Sequence, residues 1–306
     1  TFSLVLICII ISALANVAGS LFLETLIDDY ITPLLGVSNP VFTSMYRSIA
    51  LMAGIYLIGV VATYVYNILM VSISQGIQKK IRDELFAHMQ TLPIKYFDTH
   101  AHGDVMSRYT NDIDTLRQML SQSIPMAFSS LVTIVSVFAA MLAVSLPLTL
   151  IVIVMVALSI TVTKTIGGKS SVNFVKQQQT LGKVNGYIEE MMHGQKEVKV
   201  FGRETESKER FDNLNDELRE SATNANIYAN ILMPILGNLG YLQYALIAMF
   251  GGAMAVSGIG GLTLGAIASF LQLSRSFTMP VNQISQQVSS IVMALAGAER
   301  IFELMD

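Results

Sequence analysis

The sequence predicts an all-α membrane protein with six transmembrane helices and long extensions on one side of the bilayer. Three observations carry this expectation. Of the 306 residues, 52% are hydrophobic and 13% charged, where about 25% charged is usual for globular domains; the mean hydropathy is +0.55. Charged residues are missing from long windows: before Glu24, between Arg47 and Lys79, between Arg117 and Lys164, between Glu220 and Arg275, and between Arg275 and Glu299. Counting Arg275 with the flank that follows the last span, all but Arg47 of the 19 lysines and arginines then fall on one side of the spans. The net charge of −3 is too small to suggest a nucleic-acid partner.

A helix crosses the hydrocarbon core with about 20 residues. The first window gives a span at 3–28, too long for a signal peptide and without a cleavage-site pattern. The second gives 48–73. The third is long enough for two, 124–145 and 148–168, and SLPLT (145–149) is the expected turn because Pro147 breaks a helix begun upstream. The fourth holds 228–256, parted at VSGIGG (256–261) from a sixth span at 262–284. Basic residues near span ends favour the cytoplasm, which predicts cytoplasmic termini and short external loops.

The polar stretches between spans do not read as loops. Residues 74–92 and 173–220 are rich in helix formers, with Lys, Glu and Gln spaced as solvated helical faces. Continuing the helix keeps every backbone group bonded as the chain leaves the bilayer. Some 20 extra residues project a helix roughly 30 Å. The expectation is two cytoplasmic hairpins, 74–123 and 169–227, each with its tip far from the membrane.

Two motifs imitate catalytic sites. TKTIGGKSS (163–171) follows an apolar run and approaches the phosphate-loop pattern, but Thr163 stands where its first glycine belongs. A phosphate loop also wraps backbone N–H groups around the anion, which that glycine permits. In a membrane reading, Lys164 and Lys169 mark the headgroup level, and Gly167 and Gly168 form a weak point in the helix, a hinge candidate. DTHAHGDV (98–105) approaches a zinc-hydrolase signature but has Val105 where its last histidine belongs, and it falls at a hairpin tip. No metal, catalytic or cofactor site is expected. Cys8 is the single cysteine, which excludes an intrachain disulfide framework.

Polar residues within spans are candidates for a substrate cavity. Arg275 lies midway along the sixth span. Glu24 lies near the outer end of the first, four and five residues before Asp28 and Asp29, where simple proximity to the interface is an equal reading. Asn67, Asn238, Gln243 and Gln272 are candidates for which helix–helix hydrogen bonds are an equal account. Seventeen methionines supply an adaptable apolar lining. Pro234 and Pro280 each remove a backbone hydrogen bond within a span and are further hinge candidates.

With these spans and hairpins, the chain resembles the transmembrane domain of type IV ATP-binding-cassette (ABC) exporters over essentially its whole length. LPIKYFDTHAHGDVMSRYTNDIDTLR (92–117) resembles the first intracellular loop, GQKEVKVFGRETESKERF (194–211) the second, and AGAERIFELMD (296–306) the segment joining the last span to a nucleotide-binding domain. LIDDYITPLL (26–35) is similar to bacterial multidrug-type half-transporters that often pair as heterodimers. The resemblance implies a domain-swapped dimer of two half-transporters, homomeric or heteromeric. Nucleotide-binding domains would hold ATP and magnesium, and one is expected after residue 306. This chain alone would hydrolyse nothing. Coupling helices are implied near His100–Ser107 and Val200–Glu206. Their contact residues would be His100, Gly103, Asp104 and Arg108 in the first tip, and Val200, Phe201, Arg203 and Glu204 in the second. Phe201 would be an apolar anchor with Arg203 and Glu204 at its polar rim; capping or pairing within the hairpin is the competing role for these charges. The implied activity is ATP-driven export of hydrophobic or amphipathic compounds, drugs or lipids, from a bacterial plasma membrane by alternating access. The rival readings are a secondary transporter and a membrane sensor domain. The first would favour inverted repeats, and neither accounts for two hairpins with tip motifs.

Overall fold

The computed structural model describes residues 2–35, 37 and 40–305, and only the backbone at Asn282 and Ser285. Thr1 and Asp306, the last residue of the expected joining segment, lie outside the described residues. Every regular element among them is helical. Among the described residues, five helical stretches are long and apolar enough to cross a membrane: Phe2–Leu34, Thr43–Met89, His102–Val144, Leu146–His193 and Glu204–Val256. A sixth long helix, Leu264–Met305, interrupts its apolar run with Gln272 and Arg275.

The chain divides into two compact units, Thr1–Thr149 with Ile247–Asp306, and Leu150–Leu246. In the first, helix α1 (Phe2–Thr25) ends in a π-helical turn, Leu26–Ile31, and a 3-10 turn, Thr32–Leu34, that carries Pro33. Helix α2 (Thr43–Met89) is 47 residues long, about 70 Å at 1.5 Å per residue, so it contains the expected span 48–73 together with a polar extension. Helices α1 and α2 pack through small residues. Gly59 faces Ala15 so closely that an added Cβ would lie 2.8 Å from the alanine Cβ, and Ser12 and Thr63 share a hydrogen bond of 2.8 Å. Small residues and hydroxyl pairs let helices approach where lipid supplies no hydrophobic drive. Leu57, Val60, Val61 and Tyr64 remain exposed on α2, as a lipid-facing surface requires.

Short helices α3 (Ile94–Thr99) and α4 (His102–Ser107) form the first hairpin tip. The chain returns through a π-helical turn (Arg108–Asp112), α5 (Ile113–Gln118), a second π turn (Met119–Ser123) and α6 (Ile124–Val144). Phe138 of α6 stacks on Phe277 with ring centroids 5.9 Å apart. The turn expected over 145–149 is narrower than predicted. Ser145 alone is extended, and helix α7 (Leu146–His193) starts at once, because Pro147 in a first helical turn loses only a hydrogen bond that would be unmade there anyway.

The second unit is a hairpin built from α7, a short helix α8 (Gln195–Val200) and α9 (Glu204–Val256). Thr180, Val184, Tyr187, Ser221 and Ala225 are buried between its arms. Tyr187 Oη donates to the Ser207 carbonyl at 3.0 Å, Lys183 pairs with Glu217 at 3.1 Å, and Arg210 lies 5.2 Å over the Tyr187 ring. Gly167 and Gly168 sit within unbroken helix, and a Cβ on either would meet nothing within 4 Å.

In the first unit, α9 leads into a turn at Gly258, Gly260 and Gly261, all with positive φ. Only glycine adopts three such angles cheaply, which explains VSGIGG. Helix α10 (Leu264–Met305) follows.

Candidate functional site

At the first tip, His100 and Ala101 are the extended residues between α3 and α4, so the helical turn is His102–Ser107. The His100 ring stacks on Tyr96 at 4.0 Å, and its Nδ1 lies 3.0 Å from the Tyr96 carbonyl. Its side chain thus closes α3. Gly103 has open space around it. Asp104, in the first turn of α4, suits the positive end of the helix dipole and pairs with Arg108 at 3.5 Å. Arg108 is turned inward, with its side chain 13% exposed, and its Nη1 donates to the Arg300 carbonyl at 3.1 Å. Exposed apolar surface at this tip comes instead from Ile94 and Met106.

That inward turn belongs to a polar contact that residue patterns did not reveal. Arg300 Nη2 donates to Asp112 Oδ1 at 2.7 Å, joining residues 188 positions apart. Asp112 is buried, and Gly297 lets it approach: a Cβ there would lie 3.4 Å from the Asp112 Cβ. Beside the pair, Leu85, Ile113, Ile301 and Leu304 form a buried cluster flanked by Tyr96 and Tyr109. Burial pushes the Tyr109 phenol above its ordinary range. The segment AGAERIFELM is therefore an amphipathic helix end packed against the root of the first tip.

At the second tip, the short helix falls on Gln195–Val200 rather than Val200–Glu206. The backbone gives the reason. Gly202 has φ of +61°, Arg203 N bonds the Val198 carbonyl at 2.9 Å and Gly202 N the Lys199 carbonyl at 3.3 Å. This is the Schellman termination of a helix. It leaves Val200 and Phe201 outward, Phe201 being 74% exposed. Phe201 also borders a cleft of about 410 Å³ that it lines together with Tyr187, Met191, Arg203 and Glu206. Arg203 pairs with Glu206 at 3.5 Å, and Glu204 opens α9. An exposed phenyl ring beside mixed charges is a surface that can seat in a partner's apolar pocket with a polar rim.

The cavity candidates do not form one cluster. In the first unit, Asn67 and Pro280 line a single pocket with Tyr66, Ser121 and Gln283. Gln272 and Arg275 lie on the exposed side of α10, opposite buried Phe270, Leu273 and Phe277. Glu24 sits beside a contact at the start of α10. There Asp28, one turn along from Glu24, accepts hydrogen bonds from Gly265 N at 3.0 Å and from the Thr263 hydroxyl. Thr263 in turn caps α10 by accepting from Ala266 N at 3.0 Å. In the second unit, Asn238 Nδ2 donates to the carbonyl of Pro234 at 2.9 Å, which occupies its amide within its own helix. Gln243 is buried.

Comparison with known proteins adds a family to this geometry. Residues 2–281 match the family of ABC transporter transmembrane regions. The chain is 33% identical over 303 residues to the ABC transporter ATP-binding protein YfiC of Bacillus subtilis, covering 99% of this chain and 49% of that protein. It is 32% identical over 265 residues to a fatty acid ABC transporter ATP-binding/permease protein of Mycobacterium tuberculosis, covering 87% and 42%. It is 27% identical over 250 residues to an ATP-dependent lipid A-core flippase of Pseudomonas fluorescens, covering 80% and 40%. The chain thus spans half or less of the length of these relatives.

Proposed function

The chain belongs to the ABC transporter transmembrane-region family and is an integral membrane protein, and from that premise we propose that it is the substrate-translocating part of an ATP-driven exporter. Its cargo in this reading is a hydrophobic or amphipathic compound, moved outward by alternating access. The relatives named for fatty acid transport and lipid A-core flipping support an amphipathic cargo. Two copies of the domain, or this one and a related half-transporter, would enclose the pathway in a domain-swapped pair. ATP and magnesium would be held by nucleotide-binding domains seated against the two hairpin tips. The bacterial relatives and the bias of basic residues support placement in a bacterial plasma membrane with both termini cytoplasmic.

The observation that carries this reading is the second tip. A helix terminated by Gly202 holds Phe201 exposed at the edge of a mixed-charge cleft, the form expected of a docking knob rather than a solvated loop. Burying a phenyl ring is worth about 1.5–3 kcal/mol, so Phe201→Ala should weaken docking by roughly ten- to a hundredfold. In the full-length transporter in proteoliposomes, the variant is expected to hydrolyse ATP with little transport per ATP. A transport-to-hydrolysis ratio equal to that of the parent would overturn the coupling role.

A further inference from the structure

The pocket shared by Asn67 and Pro280 has a chemistry that narrows the cargo, on the premise of the export function proposed above. It occupies about 470 Å³ between α2, the start of α6 and α10, within the range of small-molecule sites. Its hydrogen-bonding groups include Asn67, Ser121, Gln122, Ser129, Thr133 and Gln283, and no residue recorded in its lining carries a charge. Ser121 is buried, and its hydroxyl has no partner among the described residues. Asn67 spends its amide N–H on the Thr63 carbonyl at 2.8 Å, which leaves its carbonyl oxygen as an acceptor. Buried hydroxyls without partners are costly and call for a ligand or water that completes them.

We propose that this pocket is a headgroup subsite selecting neutral, hydroxyl- or amide-bearing amphiphiles. Amide and hydroxyl side chains both donate and accept, so they can complete a polyol's hydrogen bonds in either sense. A carboxylate or ammonium entering the same pocket loses hydration and meets no opposite charge. The alkyl portion has apolar surface to follow beside the pocket, since Met126 and Pro125 line its edge. Selection against charge therefore comes from uncompensated desolvation, and selection for hydroxyls from the unpaired Ser121 hydroxyl and the Asn67 carbonyl oxygen.

The test uses the full-length transporter in nanodiscs without ATP and three radiolabelled probes of one chain length: 1-dodecanoylglycerol, dodecanoate and dodecyltrimethylammonium. The glycerol ester is expected to bind at least about tenfold more tightly than either ion, the equivalent of one well-made hydrogen bond. Asn67→Leu with Gln283→Leu should erase the preference, whereas Asn67→Gln, which keeps an amide, should retain it; thermal melting of each variant separates misfolding from loss of selection. Equal or tighter binding of an ion to the parent protein, failure of all three to bind, or a preference that survives the double substitution would each overturn the proposal. ATP-driven export of the same probes, measured separately in proteoliposomes, tests the parent function, so a transporter that binds selectively but does not pump sinks that reading alone.

Discussion

Replacing Arg300 should cost more than replacing its partner Asp112, although both substitutions break the same hydrogen bond. The pair is asymmetric: the Asp112 side chain is 7% exposed and that of Arg300 is 55% exposed. A wholly buried pair loses 3–5 kcal/mol when one member is removed, and an exposed pair loses about 0–1 kcal/mol. Arg300→Met leaves a carboxylate buried against Gly297, with one oxygen already lacking a partner among the described residues, so about 2 kcal/mol is expected, between those limits. Asp112→Ala removes the group that is costly to bury and frees an arginine that can reach water, so under about 1 kcal/mol is expected. The double variant should then resemble Asp112→Ala alone, giving a coupling of about 2 kcal/mol, the whole loss expected of Arg300→Met. The assay is thermal denaturation of the four proteins in one detergent at fixed salt, read as the order of midpoints, since a multidomain membrane protein has no single unfolding free energy. Equal losses from the two single variants, or additive losses in the double, would refute the argument from burial.

Three further outcomes follow from other contacts. Gly265→Ala places a Cβ 2.7 Å from the backbone carbonyl of Glu24 and 2.5 Å from Asp28 Oδ2, and overpacking of this kind costs about 1–3 kcal/mol; a melting midpoint unchanged from the parent would contradict that approach. Gly167→Ala with Gly168→Ala meets no neighbour and should stabilise α7 by roughly 1 kcal/mol per residue, while slowing transport if the segment bends during turnover; an unchanged turnover number would remove the hinge. Arg275→Ala should change the order in which hydrophobic cations and anions stimulate ATP hydrolysis if its exposed side chain faces the pathway, and an unaltered order would reduce it to a surface charge.

The features legible in sequence are those set by local chemistry. Charge-free windows located the long helices because one charged side chain in hydrocarbon costs kilocalories, and VSGIGG marked a turn because three positive φ angles demand glycine. Phe201 stands out only through the family resemblance; its exposure follows from Gly202 ending the preceding helix, which the expected helix over Val200–Glu206 did not anticipate. The helix boundaries at that tip were not legible, since the Schellman bonds depend on which carbonyl the turn reaches. The inward turn of Arg108 was also hidden. An arginine beside an aspartate four residues away reads equally as a rim charge, and its use by the Arg300 carbonyl depends on residues 192 positions apart. Asp28 and Thr263, separated by 235 positions, are another such case. Pairings of this range come from how the helices pack, which no local pattern encodes.

The two ends of α10 are both held within one unit, by Asp28 at Thr263 and Gly265 and by Asp112 at Arg300. In engineering language it is a beam fixed at both supports, 42 residues long, or about 63 Å. Such a beam cannot tilt as a rigid rod. It must flex along its length or release a support. Pro280, which interrupts the helical hydrogen bonding between the two supports, is where flexure is cheapest. Any reshaping of this helix in transport then divides between a bend beside the neutral pocket and the opening of one polar anchorage. Crosslinking both anchorages would leave only the bend.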